Sequence, residues 1–339
     1  MTSLRCWASE SHHPLAAAAL GEILGEVLDR VGVGPDLVVL VAEGAHGRLV
    51  GNALEALNAT LQPLCQPLAT TRGEDDLEPS LTLFAAHAGA SAPVPNLDEV
   101  AGVTLLFGPA PLDPSVGDHP RLPQHQVFGG LVAGTSSGSR WEAHLPEAVG
   151  TLCPQWRPVG DPMVITSVEE NAITALAGID AVDRLESLIA ELDVADRLAA
   201  RQGLLLGRLV DERLIDWGAA DVATTEILGI RRDHRALVTA DPLPLGAVVQ
   251  FQVSDPISLD EHLVDAGRRL APNGAAGALV VTDAPLPTIP RPADIAASVT
   301  IPVDALLAPI GGATFLQRNA AGLIVIGAGK HRGGPETLG

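Results

Sequence analysis

Residues 162–192 read PMVITSVEENAITALAGIDAVDRLESLIAEL, and the change of rhythm inside this stretch decides the fold class. From Pro162 to Glu169, and again from Ala172 to Leu176, apolar side chains come in short β-prone runs separated by Glu169, Glu170 and Asn171. Polar residues between two such runs predict a β-hairpin. After Gly178 the period changes: Val182, Leu185, Leu188, Ile189 and Leu192 recur at helical spacing, with Asp180 and Asp183 near the positive end of the helix dipole. A chain of 339 residues exceeds what one hydrophobic core ordinarily serves, so the switch after Ala177 is read as the junction of two tandem domains, 1–177 and 178–339. The expected class is α/β in the mixed α+β sense, each domain a layered mixed sheet with helices.

Outward from that stretch, helix and strand patterns alternate. PLAAAALGEILGEVLDRVG predicts a helix from about Pro14 to Val31, closed by Gly32, and DLVVLVA a buried strand. A second helix over 46–59 follows, then strands near Pro63–Leu68, Ser80–His87 and Val103–Phe107. Downstream, GLLLGRLV, DVATTEILGI, RALVTA and AVVQFQV read as strands, and SLDEHLVDAGRRL as a helix opened by a Ser258/Glu261 capping box. GALVVTDA, GATFLQ and GLIVIG supply the last strands, with PMVITSVE and GALVVTDA expected in the interior of their sheets.

Composition narrows the partners. A formal net charge of -20 repels a phosphate backbone, so nucleic acid is excluded. Lys330 is the only lysine, which leaves neither a Schiff-base lysine in the core nor a P-loop lysine. No stretch approaches the roughly 18 apolar residues of a membrane span, so no membrane partner is expected. Cys6, Cys65 and Cys153 are odd in number and outside any CxxC, which fits a reducing cytoplasm and gives no zinc site.

The most suggestive loop, FGGLVAGTSSG at 128–138, lacks the lysine of a phosphate loop and has Ser136 and Ser137 at the wrong spacing for a nucleophile elbow. It reads instead as glycines where a strand turns back or another backbone passes closely. His119 with His125, and His12 beside His13, lack a third ligand at ligand spacing, so no metal is expected. Glu74, Asp75, Asp76 and Glu78 read as a solvated turn, and Asp211, Glu212 and Asp216 as surface carboxylates.

Seven phrases run in order along 36–327: PDLVVLVAEGAH, FGGLVAG, WRPVGDPMVITSVEENAITALAGIDAVDRL, GLLLGRLVDE, ILGI, LGAVVQFQVSDPISLDEHL and PIGGATFLQ. Together they resemble the FIST family, whose tandem FIST N and FIST C domains form an intracellular sensory module. The resemblance implies a non-catalytic protein without a cofactor, in which Arg157, Gly129, Gly130, Asp255, Gly311, Gly312 and Gln317 bind a small ligand and a signalling partner reads the result. This chain departs from the family pattern by Ser254 in place of an arginine ahead of Asp255, by VTDAPLP in place of a Cys-Asn-Gly-Arg-Gly motif, and by the absence of an expected arginine from the strand ADVATTEILG. Without those guanidinium forks the expected ligand is neutral or zwitterionic and of amino-acid size. Two alternatives stand beside this reading: a hydrolase or transferase using Cys65 or a Ser/Gly loop, and a scaffold acting through its surface.

Overall fold

The computed structural model describes residues 4–72, 78–90, 101–108, 125–132, 141–214, 217, 221–283, 295, 297–310, 313–317 and 320–327. The fold is mixed α+β, with several sheets carrying helices.

The chain begins with β1 (Arg5–Ser11), α1 (Ala16–Arg30), β2 (Leu37–Glu43), α2 (Val50–Leu61), β3 (Leu68–Arg72) and β4 (Ser80–His87). These strands form a sheet of order β1-β4-β2-β3. Ile23 and Val27 of α1 and Leu54 and Leu57 of α2 cover one face, meeting Val38, Leu40 and Leu83. The other face, with Leu37, Val39 and Phe84, turns to the central core. The all-buried run of β2 follows from this covering of both faces. The strand expected at Pro63–Leu68 begins only at Leu68, because α2 runs on to Leu61 and ends at Gln62 in the left-handed conformation.

Next come β5 (Gly102–Gly108), β6 (His125–Leu131), β7 (Trp141–Leu145) and β8 (Ala148–Pro154). Then the hairpin predicted from the sequence forms: β9 (Trp156–Glu169) turns at Glu170, φ 56°, into β10 (Ala172–Leu176), with Ala172 opposite Glu169. After the two-residue β11 (Ile179–Asp180), α3 (Ala181–Glu191) starts on an Asp180 side chain that accepts a hydrogen bond from the Val182 N–H. Sequence reading did not predict α4 (Val194–Gln202), a polar helix capped by Asp193. It is followed by β12 (Leu204–Leu209), β13 (Val222–Arg231), β14 (Ala236–Thr239) and β15 (Val248–Ser254).

These strands close on themselves. β9 pairs with β15 through its first part and with β10 through its second, and β13 likewise pairs first with β12 and then with β14. The pairings β12–β15 and β10–β14 complete a ring of six antiparallel strands. Its core gathers Phe251, Val253, Leu206, Leu237 and Ile173, with Val182 and Leu185 of α3. β9 is flanked on both sides, yet its burial alternates: Ile165 is buried while Val164 is exposed.

The chain ends with α5 (Pro256–Leu270), β16 (Gly277–Thr282), β17 (Ser298–Pro302), β18 (Ala305–Ile310), β19 (Ala313–Gln317) and β20 (Ala320–Ile326). Ser258 lies inside α5 rather than capping it. The helix starts at Pro256, where a missing N–H costs nothing. β16 is wholly buried, one side against the central core and the other beneath Leu259 and Leu263 of α5.

These late strands join sheets begun early. One sheet runs β17-β16-β20-β8 and another β19-β18-β6-β5-β7. Two bodies result: the ring, built from 156–254, and a three-sheet body that takes its strands from both ends of the chain. The boundary expected after residue 177 falls inside the ring, at the tight turn where Leu176 pairs with Ile179.

Phe128 of β6 locks two of these sheets face to face. Its ring lies against Gly150 of β8 and Gly322 of β20, where a Cβ on Gly322 would come within 2.7 Å of Cδ1. Gln126 supports the same spot: its amide donates to the Gly150 carbonyl at 3.0 Å and accepts from the Gly150 N–H at 2.8 Å. Both backbone groups lie on the outer edge of β8 and would otherwise be orphaned. Gly150→Ala should therefore cost about 1–3 kcal/mol in denaturant unfolding by overpacking, and Phe128→Ala about 3–5 kcal/mol. Because the two changes act on one contact, their sum should exceed the loss in the double variant. Strict additivity would remove Phe128 from this role.

Candidate functional site

The glycines of FGGLVAG belong to the framework. Gly129 and Gly130 sit in β6 between β5 and β18. A Cβ on Gly129 would strike the Leu106 carbonyl, and one on Gly130 would stand 2.6 Å from the Ala305 oxygen. Close approach of neighbouring backbones thus explains both residues. Gly311 and Gly312 lie outside the described residues, as do Glu74, Asp75, Asp76, His119, Ser136, Ser137 and Asp216.

Arg157 and Asp255 meet. The half-exposed Arg157 side chain, on β9, donates from Nε to Asp255 Oδ2 at 3.2 Å and pairs through Nη2 with Asp196 on α4. Hydrogen bonding to Asp196 is the main cause that raises the guanidinium above its ordinary value, with Asp255 adding to it. The fork therefore ties α4 to the β15–α5 junction.

The neighbouring Trp156 points to the opposite face of β9 and is fully buried in the core shared with the three-sheet body. On that same wall of the ring, strand register places Gln252 and Leu205 side by side, and Gly207 opposite Thr224. Gly207 makes room for Gln252, since a Cβ there would come 3.0 Å from Gln252 Nε2. Gln317 of β19 reaches in from the three-sheet body. Its Oε1 accepts from the Thr224 hydroxyl at 3.1 Å and from the Thr224 N–H at 3.3 Å. A backbone N–H can only donate, so these bonds fix the Gln317 amide with Nε2 turned away from Thr224.

Three polar atoms in this seam are buried without a hydrogen-bond partner: Trp156 Nε1, Gln252 Oε1 and Gln317 Nε2. Gln252 is 1% exposed, and Trp156 and Gln317 are 0% exposed. Buried polar groups in native proteins are nearly always satisfied, and each orphan costs about 1–3 kcal/mol. Two of these atoms are donors and one is an acceptor; Trp156 and Gln252 belong to the ring, and Gln317 reaches in from the three-sheet body. Sequence reading reached Gln317 and missed Trp156 and Gln252. The available signal was Gln252 alternating with Phe251 and Val253 in a strand, a pattern that ordinarily means a solvent-facing side.

Burial is the main cause that raises the Cys65 thiol above the usual value, and Asp36 adds to it, so less thiolate is present near neutral pH. Cys6 and Cys153 are pushed up to about 12, chiefly by burial. Among the described residues, no cluster of three or more His, Cys, Asp or Glu side chains is placed to hold a metal ion. Nor is any described helix long and apolar enough to cross a membrane.

No family model matches the chain. It is 27% identical over 315 residues to an uncharacterized protein of Mycobacterium bovis, covering 79% of this chain and 82% of that one. It is also 26% identical over 294 residues to an uncharacterized protein of Mycobacterium tuberculosis, covering 73% and 76%.

Two outcomes follow from this geometry. Arg157→Ala should cost about 1 kcal/mol in unfolding, because its ion pairs are half-exposed, and the loss should shrink in high salt. A loss above about 3 kcal/mol would require a contact beyond the two carboxylates. Cys65 in the native protein should react with a thiol reagent more slowly at neutral pH than a free cysteine, and faster as pH rises. Rapid labelling at pH 7 would restore it as a candidate nucleophile.

Proposed function

We propose that this chain is a non-catalytic binding protein that closes a small neutral or zwitterionic molecule, of amino-acid size, into the seam where the ring meets the three-sheet body. The observation that carries the reading is the set of orphaned buried atoms on Trp156, Gln252 and Gln317. An occupant that pairs with them recovers their desolvation cost, and it does so only in the folded state. Because Trp156 and Gln252 belong to the ring and Gln317 to the three-sheet body, occupancy also fastens the two bodies together.

That coupling gives a sensor its output: a ligand holding both bodies shifts their relative freedom, and a protein partner reads the change. The resemblance to the FIST sensory module supports the same reading and an intracellular setting. The raised Cys65 thiol weighs against the hydrolase or transferase alternative.

The charge of the chain sets the ligand class. A net charge of -20 disfavours anions, and Trp156, Gln252, Thr224 and Gln317 are all uncharged. In a thermal-shift panel, neutral or zwitterionic metabolites of amino-acid size should stabilise the protein. At ~100 times the dissociation constant the gain is about 2.7 kcal/mol. Dicarboxylates and nucleotides should give no shift. Saturable stabilisation by citrate, aspartate or ATP, with none by neutral compounds, would overturn the proposal.

A further inference from the structure

Resting on that reading of the seam, we infer that the ring swings as a unit about a double hinge at Gln155 and Asp255, and that this swing admits an occupant between the two bodies. Trp156, Gln252 and Gln317 are fully buried, so nothing from solvent reaches their orphaned atoms while the bodies are docked.

The ring is one continuous segment, so the chain joins it to the other body at two points, and each has a single residue between elements. Gln155 is a bend between β8 and β9, and Asp255 separates β15 from α5. The two crossings run side by side: Trp156 pairs with Ser254, and the Asp255 N–H donates to the Gln155 carbonyl at 2.8 Å. Adjacent pivots leave one easy axis of rotation, the line through both. Each flank is stiffened. On the body side the Pro154 carbonyl accepts from His262 Nδ1 of α5 at 2.9 Å, and on the ring side Arg157 ties Asp255 to α4. Bending is thereby confined to Gln155 and Asp255.

The ring keeps its own core in such a swing. Phe251, Leu206, Leu237 and Ile173 pack among ring residues alone, whereas Trp156 and Leu205 join the core of the other body. A latch lies on the far side, where Gln317 accepts from the Thr224 N–H and hydroxyl. β13, which carries Thr224, is three strands from β9, about 14 Å at ordinary strand spacing. Opening also hydrates the orphaned atoms of Trp156, Gln252 and Gln317, which recovers the cost of burying them unpaired. Each atom needs only its own water for this.

Hydrogen exchange of the indole N–H groups reads the swing in the full chain with no ligand present. Trp141 supplies the reference: it is buried inside the three-sheet body, and its Nε1 donates to the Gln66 carbonyl at 2.8 Å. The Trp156 indole should exchange at least about 100-fold faster than that of Trp141, while the backbone amides of Phe251 in the ring and Val280 in the three-sheet body stay protected. Gln317→Ala leaves both Thr224 groups unpaired in the docked form and should speed Trp156 exchange about tenfold from three strands away. Gln252→Leu removes an orphan from the docked form and should slow it about tenfold. The wild-type ratio and the Gln252→Leu effect stand if Gln317→Ala does not fold. A Trp156 indole as slow as that of Trp141 overturns the hinge, because the bodies then part only on global unfolding. Fast exchange indifferent to Gln317→Ala, or to Gln252→Leu, overturns it as well, since water then reaches the indole locally. Fast, latch-sensitive exchange with no stabilising compound in the thermal-shift panel keeps the hinge and removes the ligand; a stabilising compound with Trp156 protected removes the hinge alone.

Discussion

The contact on which the rest depends is the Phe128 ring seated on the glycines of β8 and β20. Sheets pack face to face at roughly 10 Å when ordinary side chains interdigitate between them. Here two positions diagonal to each other across β8 and β20 are glycine, so one aromatic ring lies directly on backbone. That close approach sets the spacing of the two inner sheets. In the sheet that carries Phe128, β18 pairs with β6, and β19, next in that sheet, carries Gln317 to the edge of β13. One wall of the seam thus belongs to the sheet that Phe128 anchors.

The other wall is set by the ring. Closing six antiparallel strands into a ring leaves one side of β9, β15 and β12 to dock on the central core, where Trp156 and Leu205 are buried. Docking of that kind would normally select apolar residues along the contact. Gln252 and Gln317 break that rule at its most buried point, and Gly207 gives Gln252 the space to do so. Arg157 works on the opposite face of the same strand, holding α4 and Asp255. One strand thus carries a structural ion-pair node and a polar docking face on alternate residues.

Local signals were legible in the sequence and long-range ones were not. The hairpin at 162–176 and the helix beginning at Ala181 followed from a change of period that any environment would preserve. The pairing of β8 with β20, Ala148 opposite Ile326, depends on side-chain fit across most of the chain and has no local signature. The same reason displaced the domain boundary: Ala177 reads as a junction locally, whereas the sheets recruit strands from both ends. In the seam, Gln317 was legible through its place in the PIGGATFLQ phrase. Gln252 was not, because alternation with apolar residues signals a solvent face and only the docked body turns it inward.

The most direct test of the central claim uses the side chains themselves. The chain has four tryptophans, so the indole N–H of Trp156 can be assigned in a proton–nitrogen correlation spectrum by comparison with Trp156→Phe. On titration with glutamine, the Trp156 indole and the Gln317 side-chain amide should shift together and saturate at one ligand concentration, with the other indoles unmoved. Saturable shifts elsewhere, with both of these signals unchanged, would contradict the assignment of the seam as the ligand's place.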